Sequence, residues 1–374
     1  MSKKKYYIKE FWKNLPIKSY IKLLLAIFFI FSIIGLATDI FEGFKQSYNF
    51  LFINIIFSGF IGVFYAHTFI KQKVFLPIAI LFHLSYIYYQ SEFKVNSILN
   101  TVPDEKYFLF GLILVILIML AYVFLMIFIT GEGIPHIKLR TEMELAKEMH
   151  EVLVPEIKIE SNDFLIYGKS IPISEVGGDL VDAYFSDGNL LCYIADVSGH
   201  GVSSGLFMGM FKSSVHTVLL NNNSLVNVFN NSNKALSNLK KQNLFLTAAG
   251  IMFKKDKTAE YSIAGHLPII HFNHSGNEIK QLLNKQIPIS VKSDFCFKSE
   301  NITYNSGDIF ILISDGIIEV FNQKNVDFGL SRIMELIKNY TTKSPEELSS
   351  IIFEEISKYG KQIDDQSLLI IKCK

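Results

Sequence analysis

The sequence predicts an α+β protein in which a four-helix membrane region precedes a domain of largely antiparallel sheet, and three observations lead there. Four long uncharged apolar stretches fall within the first 130 residues. From about residue 156 the chain turns to short β-like runs separated by turns. Helical patterns come between those runs in blocks rather than alternating with single strands, which disfavours a doubly wound parallel sheet.

The apolar stretches cover residues 23–37, 48–70, 74–89 and 107–130. The second and fourth exceed the roughly 20 residues that a helix needs to cross about 30 Å of hydrocarbon. The first extends over 20–40 if Lys22 snorkels, and the third ends in Tyr86, Tyr88 and Tyr89, a belt of interfacial aromatics. No small-residue cleavage site follows the first stretch, so it reads as an uncleaved anchor. Lys3, Lys4, Lys5, Lys9, Lys13, Lys18 and Lys22 precede the first span, and Lys71 and Lys73 fill the second loop. The other loops are mixed or acidic (Asp39, Glu42, Lys45; Glu92, Lys94, Asp104, Glu105, Lys106). Four spans with this lysine bias put both termini in the cytoplasm. Asn49, Asn54, His67 and His83 lie in the spans; interhelical hydrogen bonding accounts for them better than a ligand site.

Residues 138–154 read as an amphipathic helix with Leu145, Met149 and Leu153 on one face, ended by Pro155. That linker helix suits dimerisation with its own copy, and equally a plain spacer. The expected organisation is therefore a membrane region over 1–130, a helical linker over 131–155 and a second domain over 156–374. Expected strands are 164–169, 180–185, 190–196, 247–253, 259–264, 267–272, 309–314 and 367–372. Expected helices are 202–220, 225–241, 330–339 and 345–359.

Composition narrows the function. Only 19% of the 374 residues are charged, the net charge is +1, and Arg occurs only as Arg140 and Arg332. Nucleic acid is not an expected partner of so neutral a chain. Cys192, Cys296 and Cys373 are far apart with no CxxC spacing, so neither a disulfide framework nor a thiolate zinc site is implied.

The sharpest local signal surrounds Asp187-Gly188, a two-residue hairpin loop between β-like runs. With that loop, opposed residues have numbers summing to 375, so Asp179 faces Asp196 at the open end of an otherwise apolar face. Opposed side chains sit about 5 Å apart, and two like charges at that distance repel. A hard divalent cation such as Mg²⁺ or Mn²⁺ relieves the repulsion, because it prefers carboxylate, carbonyl and water ligands. Asp315, at the end of an apolar strand, and Asp364-Asp365, just before another, have the same form. Any one Asp-Gly is by itself a turn; four acidic strand ends in one domain imply a carboxylate-bound metal centre. A pair of such ions orients and deprotonates water for in-line attack on phosphorus, and needs no protein nucleophile. No GxSxG or GxxxxGK[ST] motif is present, which removes support for acyl transfer and P-loop chemistry.

At these residues the chain resembles the metal-dependent serine/threonine phosphatases of the protein phosphatase 2C (PPM) superfamily, in the bacterial branch typified by the sporulation stage II protein E phosphatase. Nine motifs occur in order between 138 and 374. They run from Ala146 to Pro155 through Val176-Gly177-Gly178-Asp179, Asp196-Val197-Ser198-Gly199-His200-Gly201 and Phe245-Leu246-Thr247-Ala248. They continue with Ala264-Gly265-His266-Leu267-Pro268, Gly307-Asp308, Ser314-Asp315-Gly316-Ile317-Ile318-Glu319, Phe328-Gly329 and Asp364-Asp365-Gln366-Ser367.

The resemblance implies a β-sandwich flanked by helices and two Mn²⁺ or Mg²⁺ ions. It makes Asp196 the bridging carboxylate, with the Val197 carbonyl on the second ion, Asp315 and Asp364 on the first, and Asp179 acting on the second. His200 is either a proton donor to the leaving serine oxygen or a turn-stabilising residue. His266 reads as a turn residue. Ser367 stands where the family usually has Thr, and Leu180-Val181 where it usually has an aromatic; neither change removes a ligand. The implied function is a phosphatase in the bacterial cytoplasmic membrane that acts on phosphoserine or phosphothreonine of a cytoplasmic regulatory protein, often an anti-sigma-factor antagonist in this family. Two other readings stand beside it. One is a catalytically silent pseudophosphatase serving as a membrane-tethered binding module. The other is a diguanylate cyclase, prompted by Gly177-Gly178-Asp179 but contradicted by Leu180-Val181 where Glu-Phe belongs.

Overall fold

A computed structural model describes residues 15–41, 43–71, 73–93, 103–199, 201–220, 224–239 and 244–374. It divides the chain into two compact units, Met1–Arg140 and Thr141–Lys374. Of the sequence features above, Lys3, Lys4, Lys5, Lys9, Lys13, Glu42, Lys94 and His200 lie outside the described residues.

In the first unit, helices α1 (Ile17–Phe41), α2 (Tyr48–Ile70), α3 (Leu76–Phe93) and α4 (Asp104–Phe128) follow the four apolar stretches. All four are long and apolar enough to cross a membrane. Polar side chains in them are spent on one another. Lys106 and Asp39 form an ion pair of 2.8 Å with no solvent exposure on either side chain. Lys106 also donates to the carbonyls of Phe44 and Gln46. Asn54 donates to Gln46 and Thr38 and accepts from Gln90. His67 bonds Tyr20 at 2.7 Å and His83 bonds Tyr65 at 3.3 Å, so these ring nitrogens serve interhelical contacts.

The glycines at 131 and 133 do not break the chain's helix. A π-helical turn at Ile129–Gly133 runs straight into α5 (Ile134–Leu153), which therefore starts four residues before the expected linker helix. On α5, Leu145, Met149 and Val152 are exposed, whereas Leu153 packs against the core of the second unit.

The second unit is a pair of antiparallel sheets. One has the order β1 (Ile157–Glu160), β2 (Phe164–Ile171), β11 (Gln366–Cys373), β10 (Ile309–Ile313), β7 (Ile269–Asn273), β8 (Glu278–Leu282). The other has the order β3 (Leu180–Ser186), β4 (Asn189–Val197), β5 (Leu246–Phe253), β6 (Thr258–Ala264), β9 (Glu300–Thr303). Alternation along β10 shows the layering. Phe310 and Leu312 enter the core shared with β4 and β5, while Ile309, Ile311 and Ile313 pack with Ile333, Ile337, Ile352 and Ile356. Those last four residues belong to α9 (Gly329–Asn339) and α10 (Pro345–Tyr359). Helices α6 (Val202–Leu219) and α7 (Leu225–Ser237) cover the second sheet, with Phe211 edge-on to Tyr193 of β4. The result is helix, sheet, sheet, helix, as the fold class anticipated.

Strands β1, β8 and β9 were not anticipated. All three are short edge strands: β8 and β9 carry mostly exposed polar residues and lack an apolar alternation, whereas β1 alternates Ile157 and Ile159 with Lys158 and Glu160 but is only four residues long. Asp315 is also placed differently. Strand β10 stops at Ile313, and Asp315 opens a single helical turn, α8 (Asp315–Ile318), with Ser314 before it.

Candidate metal centre

The β3–β4 register sets the geometry. Ser186 pairs with Asn189 and Leu180 with Ala195, every pair summing to 375 as the two-residue turn requires. Asp187 and Gly188 both have positive φ, 51° and 80°, the combination that lets a two-residue loop follow the strand twist. Continued by one residue, this register brings Asp179, just before β3, against Asp196 near the end of β4. The two carboxyls are close enough to perturb each other's proton affinity.

Asp179 is 2% exposed, and its Oδ2 is buried with no hydrogen-bond partner. Burial and the neighbouring Asp196 hold its carboxyl well above the usual range, although the Ser367 and Ser314 hydroxyls pull the other way. Burial, Asp315, Asp364 and Asp365 push Asp196 up to about 7. Asp315 is raised by burial and by Asp364, against the backbone N–H groups at the start of α8. Glu319, which the sequence reading placed in a motif without a role, is raised by burial, Asp315 and Asp364. These acids therefore raise one another's proton affinity.

Val197 closes β4, and a Cβ on Gly178 would come within 3.1 Å of its carbonyl oxygen. Glycine at 178 leaves the space beside that carbonyl uncrowded. Asp364 is exposed, and its Oδ1 accepts the N–H of Asp365 at 2.8 Å. The structure thus brings Asp179, Asp196, Val197, Asp315 and Asp364 to one end of the sandwich. Among the described residues, no three His, Cys, Asp or Glu side chains already close into a cage. The donor set is nevertheless all oxygen, and it contains a buried carboxylate atom with nothing to bind. Both features suit a hard divalent cation rather than a soft one.

Asp365 has no role apart from Asp364 in the sequence reading, yet its carboxylate accepts the N–H of Ile173 at 2.8 Å and of Gly178 at 2.7 Å. Ser314 and Ser367 were likewise missed as a clamp. Ser314 N–H donates to the Ser367 carbonyl at 3.0 Å, and Ser367 N–H to Ser314 Oγ at 2.9 Å. His150, on the last turn of α5, is buried with Nε2 unpartnered; burial lowers its pKa while Asp365 and Glu151 oppose that. The only sequence cue to these residues is their place inside motifs.

Comparison with known proteins identifies the family of the second unit. The Stage II sporulation protein E (SpoIIE) family profile matches residues 186–374, a segment that includes Asp196, Asp315 and Asp364 and starts after Asp179. The phosphoserine phosphatase RsbU of Bacillus subtilis is 23% identical over 241 residues, covering 63% of this chain and 71% of that protein. The SiaA-PP2C domain of Pseudomonas aeruginosa superposes with a TM-score of 0.55 at 14% identity, covering 64% of this chain and 98% of that one. The RsbU and RsbW domains of Rv1364c from Mycobacterium tuberculosis give a TM-score of 0.51 at 18% identity, covering 59% and 62%. These two solved structures share the fold of the second unit. With the family profile matched over half its length, the chain belongs to the SpoIIE family of PP2C-type serine/threonine phosphatases.

Proposed function

We propose that the protein is a membrane-anchored, metal-dependent phosphatase that hydrolyses phosphoserine or phosphothreonine on a cytoplasmic regulatory protein. The observation that carries the metal part is the unpartnered buried Oδ2 of Asp179 beside Asp196, in a group of acids that raise one another's proton affinity. In this reading Asp179, Asp196, the Val197 carbonyl, Asp315 and Asp364 would hold two Mn²⁺ or Mg²⁺ ions. When bound, the ions offset the phosphoryl charge and lower the pKa of the attacking water. The chain's own part is to hold oxygen donors at fixed spacing and to exclude competing cations by charge and size. His200 is assigned the proton for the leaving serine oxygen.

The membrane assignment is supported by the four long apolar helices and by Lys18, Lys22, Lys71 and Lys73 on one side of them. Both termini are then cytoplasmic. The exposed Leu145, Met149 and Val152 of α5 support a homodimer through the linker helix. For the substrate, the likeness to a phosphoserine phosphatase and to a protein joining RsbU and RsbW domains makes an anti-sigma-factor antagonist the first phosphoprotein to test.

The test is phosphate release from a phosphoserine peptide by the full chain in detergent micelles, with Mn²⁺, Mg²⁺ or chelator. Metal-dependent turnover abolished in both Asp196→Asn and Asp315→Asn is the expected result. A folded, metal-binding protein with no turnover would mean a pseudophosphatase acting as a binding module.

A further inference from the structure

Asp196 lies on β4, and three separate segments carry the other acids of the candidate centre: 172–179 before β3, 314–316 after β10, and 362–365 before β11. What sets their spacing is not the acids themselves, which repel one another. One residue touches all three segments. The Asp365 carboxylate, 4% exposed, takes the Ile173 N–H on Oδ1 and the Gly178 N–H on Oδ2, at 2.8 and 2.7 Å. Its carbonyl accepts the Ser314 hydroxyl at 3.2 Å. Its own N–H is tied to Asp364 Oδ1 at 2.8 Å. Two glycines leave room for it: a Cβ at Gly177 would meet Asp365 Oδ2 at 2.7 Å, and one at Gly316 would meet the Asp365 carbonyl at 2.1 Å.

We propose that Asp365 is a positioning residue that holds the loops of Asp179, Asp315 and Asp364 in register for divalent cation binding, without ligating the cation. The inference rests on the two-metal reading above. A carboxylate suits the task because it offers one acceptor oxygen to each of two convergent backbone donors, and each such bond is charge-assisted. Asn would present an NH₂ group to one of those N–H donors, so the nearly isosteric change breaks one bond and leaves the shape alone. Metal ligands must be held to within about half an ångström, so loosening the Gly178 loop lowers affinity before it touches the chemical step.

The experiment uses the full chain in detergent micelles. Free Mn²⁺ is read by electron paramagnetic resonance, alongside phosphate release as a function of Mn²⁺. For Asp365→Asn, the Mn²⁺ dissociation constant is expected to weaken at least tenfold, while kcat at saturating Mn²⁺ stays within about threefold of wild type. Without metal, amide hydrogen exchange in peptide 171–180 is expected to accelerate. Ser314→Ala keeps the Asp365 carboxylate and loses the Ser314 hydroxyl's contacts with the Asp365 carbonyl and the Ser367 N–H; it is expected to weaken Mn²⁺ binding about threefold, and it serves if Asp365→Asn does not fold. Unchanged Mn²⁺ affinity in either folded variant, or lost kcat at unchanged affinity, overturns the proposal. A wild-type protein that binds no Mn²⁺ overturns the two-metal reading, and the positioning role with it.

Discussion

Asp196 carries two opposed demands, and its proton affinity shows the conflict. Burial among Asp315, Asp364 and Asp365 raises it to about 7 from an ordinary value near 3.8. A carboxyl raised on folding contributes stability that is fully present below its unfolded value and is lost as pH rises through 7. The metal-free protein is therefore strained at neutral pH and above. Each tenfold change in proton affinity corresponds to about 1.4 kcal/mol, so Asp196→Asn is expected to raise the metal-free melting temperature at pH 8 by a few degrees. The same variant should have no phosphatase activity, a separation that stability alone does not produce. Scanning fluorimetry in chelator beside phosphate release reads both, and a lower melting temperature would make Asp196 a structural residue. Because a proton competes for the same carboxylate, Mn²⁺ affinity should fall as pH drops below about 7, by up to tenfold per pH unit. Titration of the full chain with Mn²⁺ between pH 6 and 8 checks this.

His266 shows the opposite sign: burial lowers it to about 4, with only the Leu267 backbone opposing, and its Nδ1 has no partner. A histidine kept neutral by the fold gives stability that is present above pH 6.5 and lost as pH falls toward 4. His266→Gln should flatten the acid side of the stability profile by at most about 3 kcal/mol. Melting curves of both proteins at pH 7, 5.5 and 4.5 decide it. The Asp179 and Asp196 pair was legible because a two-residue turn and a period of two fix register arithmetically. Asp365 was not: beside Asp364 it is the same residue type, and only the folded loops distinguish the one that faces Ile173 and Gly178.

At the level of elements, α6 is fastened to the catalytic hairpin through a buried acid. Asp182 of β3 accepts from Tyr193 of β4 at 2.8 Å and pairs with His216 at 2.7 Å and Lys212 at 3.4 Å, both on α6. Burial would raise its pKa, but His216, Lys212 and Tyr193 outweigh that and hold it low. Lys212 also donates to the Leu153 carbonyl at 2.8 Å, where α5 ends. Asp182 therefore joins strand, helix and the last turn of α5. Removing one member of a buried charged group leaves the others uncompensated, at about 3 kcal/mol or more. Asp182→Ala should destabilise the protein by that order, and Lys212→Met by less, since His216 and Tyr193 remain. Chemical denaturation of the two variants tests the ranking, and equal losses would mean that Asp182 is held by Lys212 alone. None of this shows in the sequence, because Asp182 falls at a position of β3 where alternation puts an inward or covered residue, and an acid there reads as an error in the pattern. Strands β8 and β9 escaped for a related reason. A sheet edge facing water needs no apolar face, so Glu278–Leu282 and Glu300–Thr303 look like loop.

Across the whole molecule, the apolar helices were the most legible feature, because hydrocarbon demands length and composition and little else. Their polar contents were not legible. Asp39 and Lys106 read as loop charges and are instead a buried ion pair at 2.8 Å. The lysine bias makes one further commitment about the molecule: the second unit and the connection between α2 and α3 share the cytoplasmic side, and the loop between α1 and α2 lies opposite. The chain carries its own probe for this. Cys296 is exposed, whereas Cys192 and Cys373 are buried. A membrane-impermeant maleimide should therefore leave intact cells unlabelled and react at Cys296 only after the membrane is opened. Lys45→Cys adds an exposed thiol in the loop between α1 and α2, and it should label in intact cells. Labelling of Cys296 in intact cells would place the phosphatase unit outside. It would then have no access to a cytoplasmic phosphoprotein, and the substrate class proposed here would fall with the topology.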